Sequence, residues 1–181
     1  MPGKALAVRN LSSNETVILV DEWDSPIGQA EKHEAHRAGK LHRAFSILVF
    51  NSKGETLIQK RAREKYHSGG LWTNTCDGHP RPGEGILEAG KRRLRDELGF
   101  ECELREVAKF IYKEPVDNNM TEHEFLHVLV GKYDGEIRPN PLEISEIKWV
   151  GFPELKEKVR KEPENYAVWF RLALDRLPTN L

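Results

Sequence analysis

The sequence predicts a single α+β domain, and three observations carry that prediction. The chain has 181 residues, within the roughly 100–200 residues of one domain. Short β-branched runs bounded by Gly, Asn and Asp alternate with stretches of helical periodicity. No internal repeat, low-complexity tract or linker divides them, which favours one mixed layer architecture. Charge adds an exclusion: 28 Lys+Arg against 29 Asp+Glu give a net charge of −1, so there is no global cationic field to draw nucleic acid or anionic lipid. No apolar run approaches the roughly 20 residues that cross a bilayer. The first residues lack the apolar core of a secretory signal, and two cysteines are too few for a disulfide scaffold. A cytoplasmic monomer or homodimer is expected, with Cys76 and Cys102 reduced and no nucleic-acid or membrane partner.

Residues 1–15 show little periodicity and read as an N-terminal extension to a domain spanning 16–181. The β-branched run 16–20 is a strand, stopped by acidic residues and a turn-like segment at 24–28. The polar stretch 31–41 has no clear apolar face and reads as a loop or a short helix end. Residues 42–50 form a strong strand. The turn residues 51–55 and the run 56–61 predict that the chain returns as a hairpin. A Gly-containing loop at 66–70 leads to an extended segment at 71–76. From 85 to 98 the period becomes helical, with Leu87, Leu94 and Leu98 within about 40° of one another and Gly99 as the stop. Strands are expected at 107–113, 122–133 and 144–151. Two helices follow, at 153–160 and 163–177, each opened by a proline in its first turn.

The most specific local pattern is residues 78–100. It resembles the Nudix box, G-x5-E-x7-R-E-U-x-E-E-x-G-U with U apolar, at Gly78, Glu84, Arg92, Leu94, Glu97, Gly99 and Phe100. Arg93 and Asp96 stand where the box has glutamates. A charge-laced surface helix accounts for the same run. If the resemblance holds, it implies a Nudix fold, an α/β/α sandwich around a mixed sheet. Carboxylates on a loop–helix–loop suit Mg²⁺ held against a diphosphate, because hard oxygen ligands suit that ion. Arg93 removes one such ligand and adds a phosphate clamp.

Six separated segments narrow the resemblance: LHRAF (41–45), KYHSGGLWTN (65–74), GHPRPGE (78–84), RRLRDELG (92–99), EHEF (122–125) and AVWF (167–170). Together they resemble the type 1 isopentenyl-diphosphate isomerases, over about 16–174. The resemblance implies a divalent-metal site at His36, His42, His79, Glu122 and Glu124, and that donor set suits Mn²⁺ or Zn²⁺. Glu122 and Glu124 are two apart and share a face on a strand, whereas His123 points the other way. By the same resemblance Lys32, Arg61, Lys65 and Arg93 surround a small-molecule diphosphate, with Glu97 as its Mg²⁺ ligand. Charge-assisted contacts of this kind are what two adjacent phosphates require. Tyr112 and Trp169 fall on aromatic positions beside the reacting carbons, where an indole face steadies a cation-like species. Trp72 reads as core.

One position departs. The family's segment T-N-x-x-C-x-H-P here reads Thr73-Asn74-Thr75-Cys76-Asp77-Gly78-His79-Pro80, so Asp77 stands where the catalytic cysteine is expected. Cys76 is one residue early, and on an extended segment that turns it to the opposite face. Isomerisation needs an acid and a base on opposite sides of a three-carbon unit, and Glu124 with Asp77 is the expected pair, a slow one. Two alternatives stay open: a Nudix hydrolase cleaving a prenyl or other organic diphosphate, such as a nucleoside diphosphate, or a pocket that only binds.

Overall fold

In a computed structural model, residues 15–177 are described. Among them nine strands and four α-helices follow in the order β1 (Thr16–Val20), β2 (Pro26–Glu31), α1 (Lys32–Ala38), β3 (His42–Phe50), β4 (Glu55–Arg61), β5 (Trp72–Thr73), β6 (Cys76–Gly78), α2 (Ile86–Leu98), β7 (Leu104–Val116), β8 (Met120–Lys132), β9 (Ile144–Gly151), α3 (Phe152–Lys161) and α4 (Val168–Arg176). The N-terminal extension expected at 1–15 lies outside the described residues, Glu15 excepted.

The strands form one mixed sheet. β3 runs parallel to β8 from His42↔Glu124 to Phe50↔Lys132, and β8 pairs antiparallel with the long edge strand β7. Alternation along β3 sorts its side chains between two cores. Ala44 and Leu48 meet Leu126, Leu155, Phe170 and Leu174 on the α3 and α4 side. Phe45, Ile47 and Val49 meet Leu94, Leu98 and Leu129 on the α2 side. The result is the expected α/β/α sandwich. α2 ends where Gly99 takes φ +73, a left-handed value that glycine adopts without penalty.

Several local expectations are corrected. The turn at 51–55 forms, but β3 and β4 share only the Phe50↔Thr56 bridge and then part. Between them lies the segment around Thr75, whose Oγ1 accepts from Val49 N and donates to Leu57 O; β4 takes β9 as its partner instead. The segment 24–28 is not all turn, because β2 begins at Pro26 and pairs with β1. Residues 32–38 are the helix α1, capped by the Glu31 carboxylate and closed by Gly39. In place of a continuous helix from 163 there is a short 3-10 turn, Pro163–Asn165, and α4 starts only at Val168. Leu87 lies in the first turn of α2 and is exposed, whereas Leu94 and Leu98 are fully buried.

Candidate active site

β8 supplies Glu122 and Glu124 to one face of the sheet, and both are buried. His123 turns away and holds Gly39 O through its ring. His42 on β3 is the register partner of Glu124, α1 delivers His36, and the chain after β6 delivers His79. One donor atom each of His36, His42, His79 and Glu124 lies within 4.8 Å of the others. His36 Nδ1 is engaged by Lys32 O and His42 Nδ1 by Lys40 O. Their Nε2 atoms are thereby turned inward, and together with Glu122 Oε2 they have no hydrogen-bond partner among the described residues. Several orphaned buried donor atoms facing one another fit a cation, because leaving each unsatisfied costs about 1–3 kcal/mol. Of the five metal positions expected from the sequence, four meet within that span, and Glu122 joins them through His36, its Oε2 3.4 Å from His36 Nε2.

The electrostatics agree. Burial and the neighbouring His36 push His42 down to about 4, and burial with His42 holds His79 well below its ordinary value. Both rings are then neutral and carry the lone pair that a metal needs. Burial favours neutral Glu122, but its contacts with His36 and His67 prevail and hold it well below the carboxylate range. Glu124 is pushed well above that range by burial and by the charge on Glu122. The Tyr112 hydroxyl donates to Glu124 Oε2 at 2.7 Å.

In front of this cluster opens a pocket with about 640 Å³ of empty space, its open mouth included. Glu122 and Glu124 reach its wall, as do Asp77 and Trp169. Tyr112 does not line it and touches it only through Glu124. All four expected phosphate cations, Lys32, Arg61, Lys65 and Arg93, line the same space, with Glu97 among them. Three carry carboxylate partners: Lys32 pairs with Glu15, Lys65 with Glu143 at 2.6 Å, and Arg93 with Glu97. The Arg61 guanidinium lies 5.2 Å from the centre of the Trp169 ring, within cation–π range. Gly78 lets Arg93 approach, since a Cβ there would lie 3.1 Å from Arg93 Cγ.

The helix carrying the box thus presents one box carboxylate to the pocket. Glu84 is tied to Arg92 at 2.7 Å, Asp96 is exposed, and Glu97 alone of the three lines the pocket. Gln59 Nε2 fixes its other oxygen at 2.9 Å. Ionised carboxylates keep further lone pairs, so Glu97 beside a bound diphosphate fits a hard divalent cation.

Asp77 sits on β6 opposite Ser46. Its Oδ1 accepts from Ser46 Oγ at 2.7 Å and Asn74 Nδ2 at 2.8 Å, and its Oδ2 faces Trp169 Nε1 at 3.0 Å. Burial raises its pKa despite these donors. Cys76 points into the α2-side core with no exposure, as the one-residue shift requires. Trp72 packs against the α3–α4 core, with Lys148 over its ring. Sequence reasoning missed Ser46, Asn74, Glu15, Glu143 and His67. Ser46 had a signal, being four residues after His42 on the same face of one strand; Glu15 and Glu143 had none.

A NUDIX domain model matches residues 40–171. The solved structure of DR0079 from Deinococcus radiodurans has the same fold, with a TM-score of 0.75 at 24% identity over 90% of this chain and 99% of that one. A MutT protein from Methanosarcina mazei aligns with a TM-score of 0.61 at 20% identity, over 75% of this chain and 91% of its own. The fold and the box helix define a Nudix protein. Among curated proteins, an isopentenyl-diphosphate Delta-isomerase of Burkholderia multivorans is 50% identical over 90% of this chain and 92% of its own length. A second, from Photorhabdus laumondii, is 48% identical over 91% and 93%. The chain belongs to the isopentenyl-diphosphate Delta-isomerase family within the Nudix superfamily.

Proposed function

We propose that the protein interconverts isopentenyl and dimethylallyl diphosphate by proton transfer, with Glu124 and Asp77 as the two transferring groups. The observation that carries this reading is two carboxylates, Glu124 buried and Asp77 half-buried, on the wall of one pocket that also holds Lys32, Arg61, Lys65 and Arg93. β3 separates them, since Asp77 pairs with Ser46 and Glu124 with His42, which supports their acting from two sides of a bound substrate.

Lys32, Arg61, Lys65 and Arg93 bind the diphosphate, and Glu97 would hold a Mg²⁺, which would supply positive charge to the phosphate oxygens. Lys32, Lys65 and Arg93 exchange part of their pairing with Glu15, Glu143 and Glu97 for phosphate oxygens. His36, His42, His79, Glu122 and Glu124 would hold a Mn²⁺ or Zn²⁺. A divalent ion bound there supplies the positive charge that balances the paired carboxylates. The Tyr112 phenol, kept protonated by burial and by Glu124, orients the Glu124 carboxyl. Trp169 offers its indole to the C5 chain while its N–H fixes Asp77. Proton transfer by a positioned group contributes about 10²–10⁴-fold. Arg93 disfavours the hydrolase alternative, because it takes a carboxylate position of the box and spans Glu97 and Glu143 instead. A cytoplasmic monomer or homodimer is the proposed setting.

Incubating the protein with isopentenyl diphosphate in D₂O with Mg²⁺ and Mn²⁺, followed by NMR, tests the reading. Deuterium in the substrate carbons or a dimethylallyl product is expected; released phosphate without either would sink it.

A further inference from the structure

We propose that His67 is a sixth donor of the metal centre, joining His36, His42, His79, Glu122 and Glu124; the inference rests on reading that cluster as a metal centre. His67 lies in the loop between β4 and β5 and is 2% exposed. Its Nδ1 is engaged by Ser68 Oγ at 3.1 Å, which turns Nε2 toward Glu122. There Nε2 stands 2.9 Å from Glu122 Oε1, yet it has no hydrogen-bond partner among the described residues. Two buried polar groups this close without bonding alignment leave donor atoms that a shared cation would satisfy. With metal–ligand bonds of about 2.1 Å, neighbouring ligands at right angles stand about 3 Å apart, and the His67–Glu122 separation falls on that edge length. Three further donor separations are similar or slightly longer: 3.4 Å from His36 to Glu122 Oε2, 3.7 Å for His42–Glu124 and 3.2 Å for His79–Glu124.

The connectivity fixes the number of ions. His36, His67 and Glu122 form one close group, and His36, His42, His79 and Glu124 form another. His36 belongs to both. Because Lys32 O engages its Nδ1 at 2.7 Å, His36 has one ring nitrogen left, and one lone pair serves one ion. The two groups are therefore two sides of a single centre.

Packing alone is a weaker account of His67. Its ring meets Trp169 edge-on at 5.7 Å and Tyr66 at 4.3 Å, but a ring buried only for packing gains nothing from an orphaned nitrogen. Four imidazoles and two carboxylates make a six-coordinate shell without a water position. Catalytic hydrolytic sites keep such a position open, so this shell suits holding and orienting Glu124 better than activating water.

Pulsed EPR of the Mn²⁺-loaded protein counts bound imidazole nitrogens. Four are expected in the wild type and three in His67→Gln, with Mn²⁺ affinity about 10–100-fold weaker in the variant. His67→Phe keeps the edge contact with Trp169 and is expected to lose the same nitrogen and the same affinity, a result that a packing role does not produce. Three imidazoles in the wild type would overturn the proposal whether or not the variants fold, and so would an unchanged affinity in both variants. Failure of the wild type to bind Mn²⁺ or Zn²⁺ at all would instead remove the metal-centre reading on which the proposal stands.

Discussion

Ser46 Oγ donates to Asp77 Oδ1 at 2.7 Å, and the two residues are register partners across β3 and β6. With Asn74 and Trp169 completing the set, the site is built around an acceptor. Asp77→Asn keeps the volume but cannot exchange a proton, so isomerisation measured by NMR is expected to fall by about 10²–10⁴-fold. Asp77→Cys installs the residue type that the sequence resemblance leads one to expect at this position. The same donors steady a thiolate, so turnover is expected to rise about tenfold above wild type. Equal activity in wild type and Asp77→Asn would exclude Asp77 as a transferring group.

Ser46→Ala isolates the network from the chemistry. Hydrogen bonds to the ionised form favour it, and the Ser46 bond lowers the Asp77 pKa. Its loss is expected to move the Asp77 limb of the kcat/KM profile to higher pH, with KM little changed. A profile that scales down without moving would assign Ser46 a packing role alone.

Metal removal couples to folding. A ligand that binds only the folded state at 100 times its Kd adds about 2.7 kcal/mol. For a chain of this length each kcal/mol is worth roughly 2–4 °C, so chelation is expected to lower Tm by about 5–11 °C. His42→Ala protein should show no further loss on chelation, as differential scanning calorimetry would reveal.

The site was legible in the sequence wherever its chemistry follows a strand or helix period. Glu122 and Glu124 share a face because they are two apart on β8, and Cys76 and Asp77 part because they are one apart on β6. Residues placed by long-range packing were not legible. Glu143 precedes β9 yet meets Lys65 across 78 residues, and His67 reaches Glu122 from a loop whose path no local pattern sets. The expected β3–β4 hairpin erred for a related reason. Turn chemistry fixes where the chain reverses, but not whether a distant segment such as Thr73–Gly78 inserts between the arms.

Arg93→Glu rebuilds the box glutamate and tests why this position carries arginine. Arg93 lies between Glu97 and Glu143, so the substitution leaves three carboxylates facing one another. Breaking a largely buried pair costs roughly 3–5 kcal/mol. Urea unfolding without Mg²⁺ should show a loss of that order, partly recovered at millimolar Mg²⁺, and no isomerase activity is expected. Full stability without the cation would show that Arg93 does not neutralise this group.

The metal-free protein is expected to lose stability as pH falls from about 6.5 to 4. His42 is pushed down to about 4 by burial and by His36, and His67 and His79 are lowered by burial. In that window the unfolded chain binds protons that these folded imidazoles refuse, so the slope of unfolding free energy against pH is positive. Glu84, lowered by Arg92, and Glu143, lowered by Lys65 despite its burial, act in the same direction below their ordinary 4.5. Their stabilisation is complete above that value and lost as pH falls through the depressed one. Asp77, Glu124 and His36 oppose the trend: burial raises the two carboxyls and Glu122 raises His36 despite its burial, so the folded state holds protons that the unfolded chain has released. Each group contributes at most about 1.4 kcal/mol per pH unit, and four lowered imidazoles, His33 among them through burial, against Asp77, Glu124 and His36 leave the sign positive. Urea titrations of chelated protein at half-unit intervals between pH 4 and 7 measure that slope; a flat or negative one would show that the imidazoles are not held neutral.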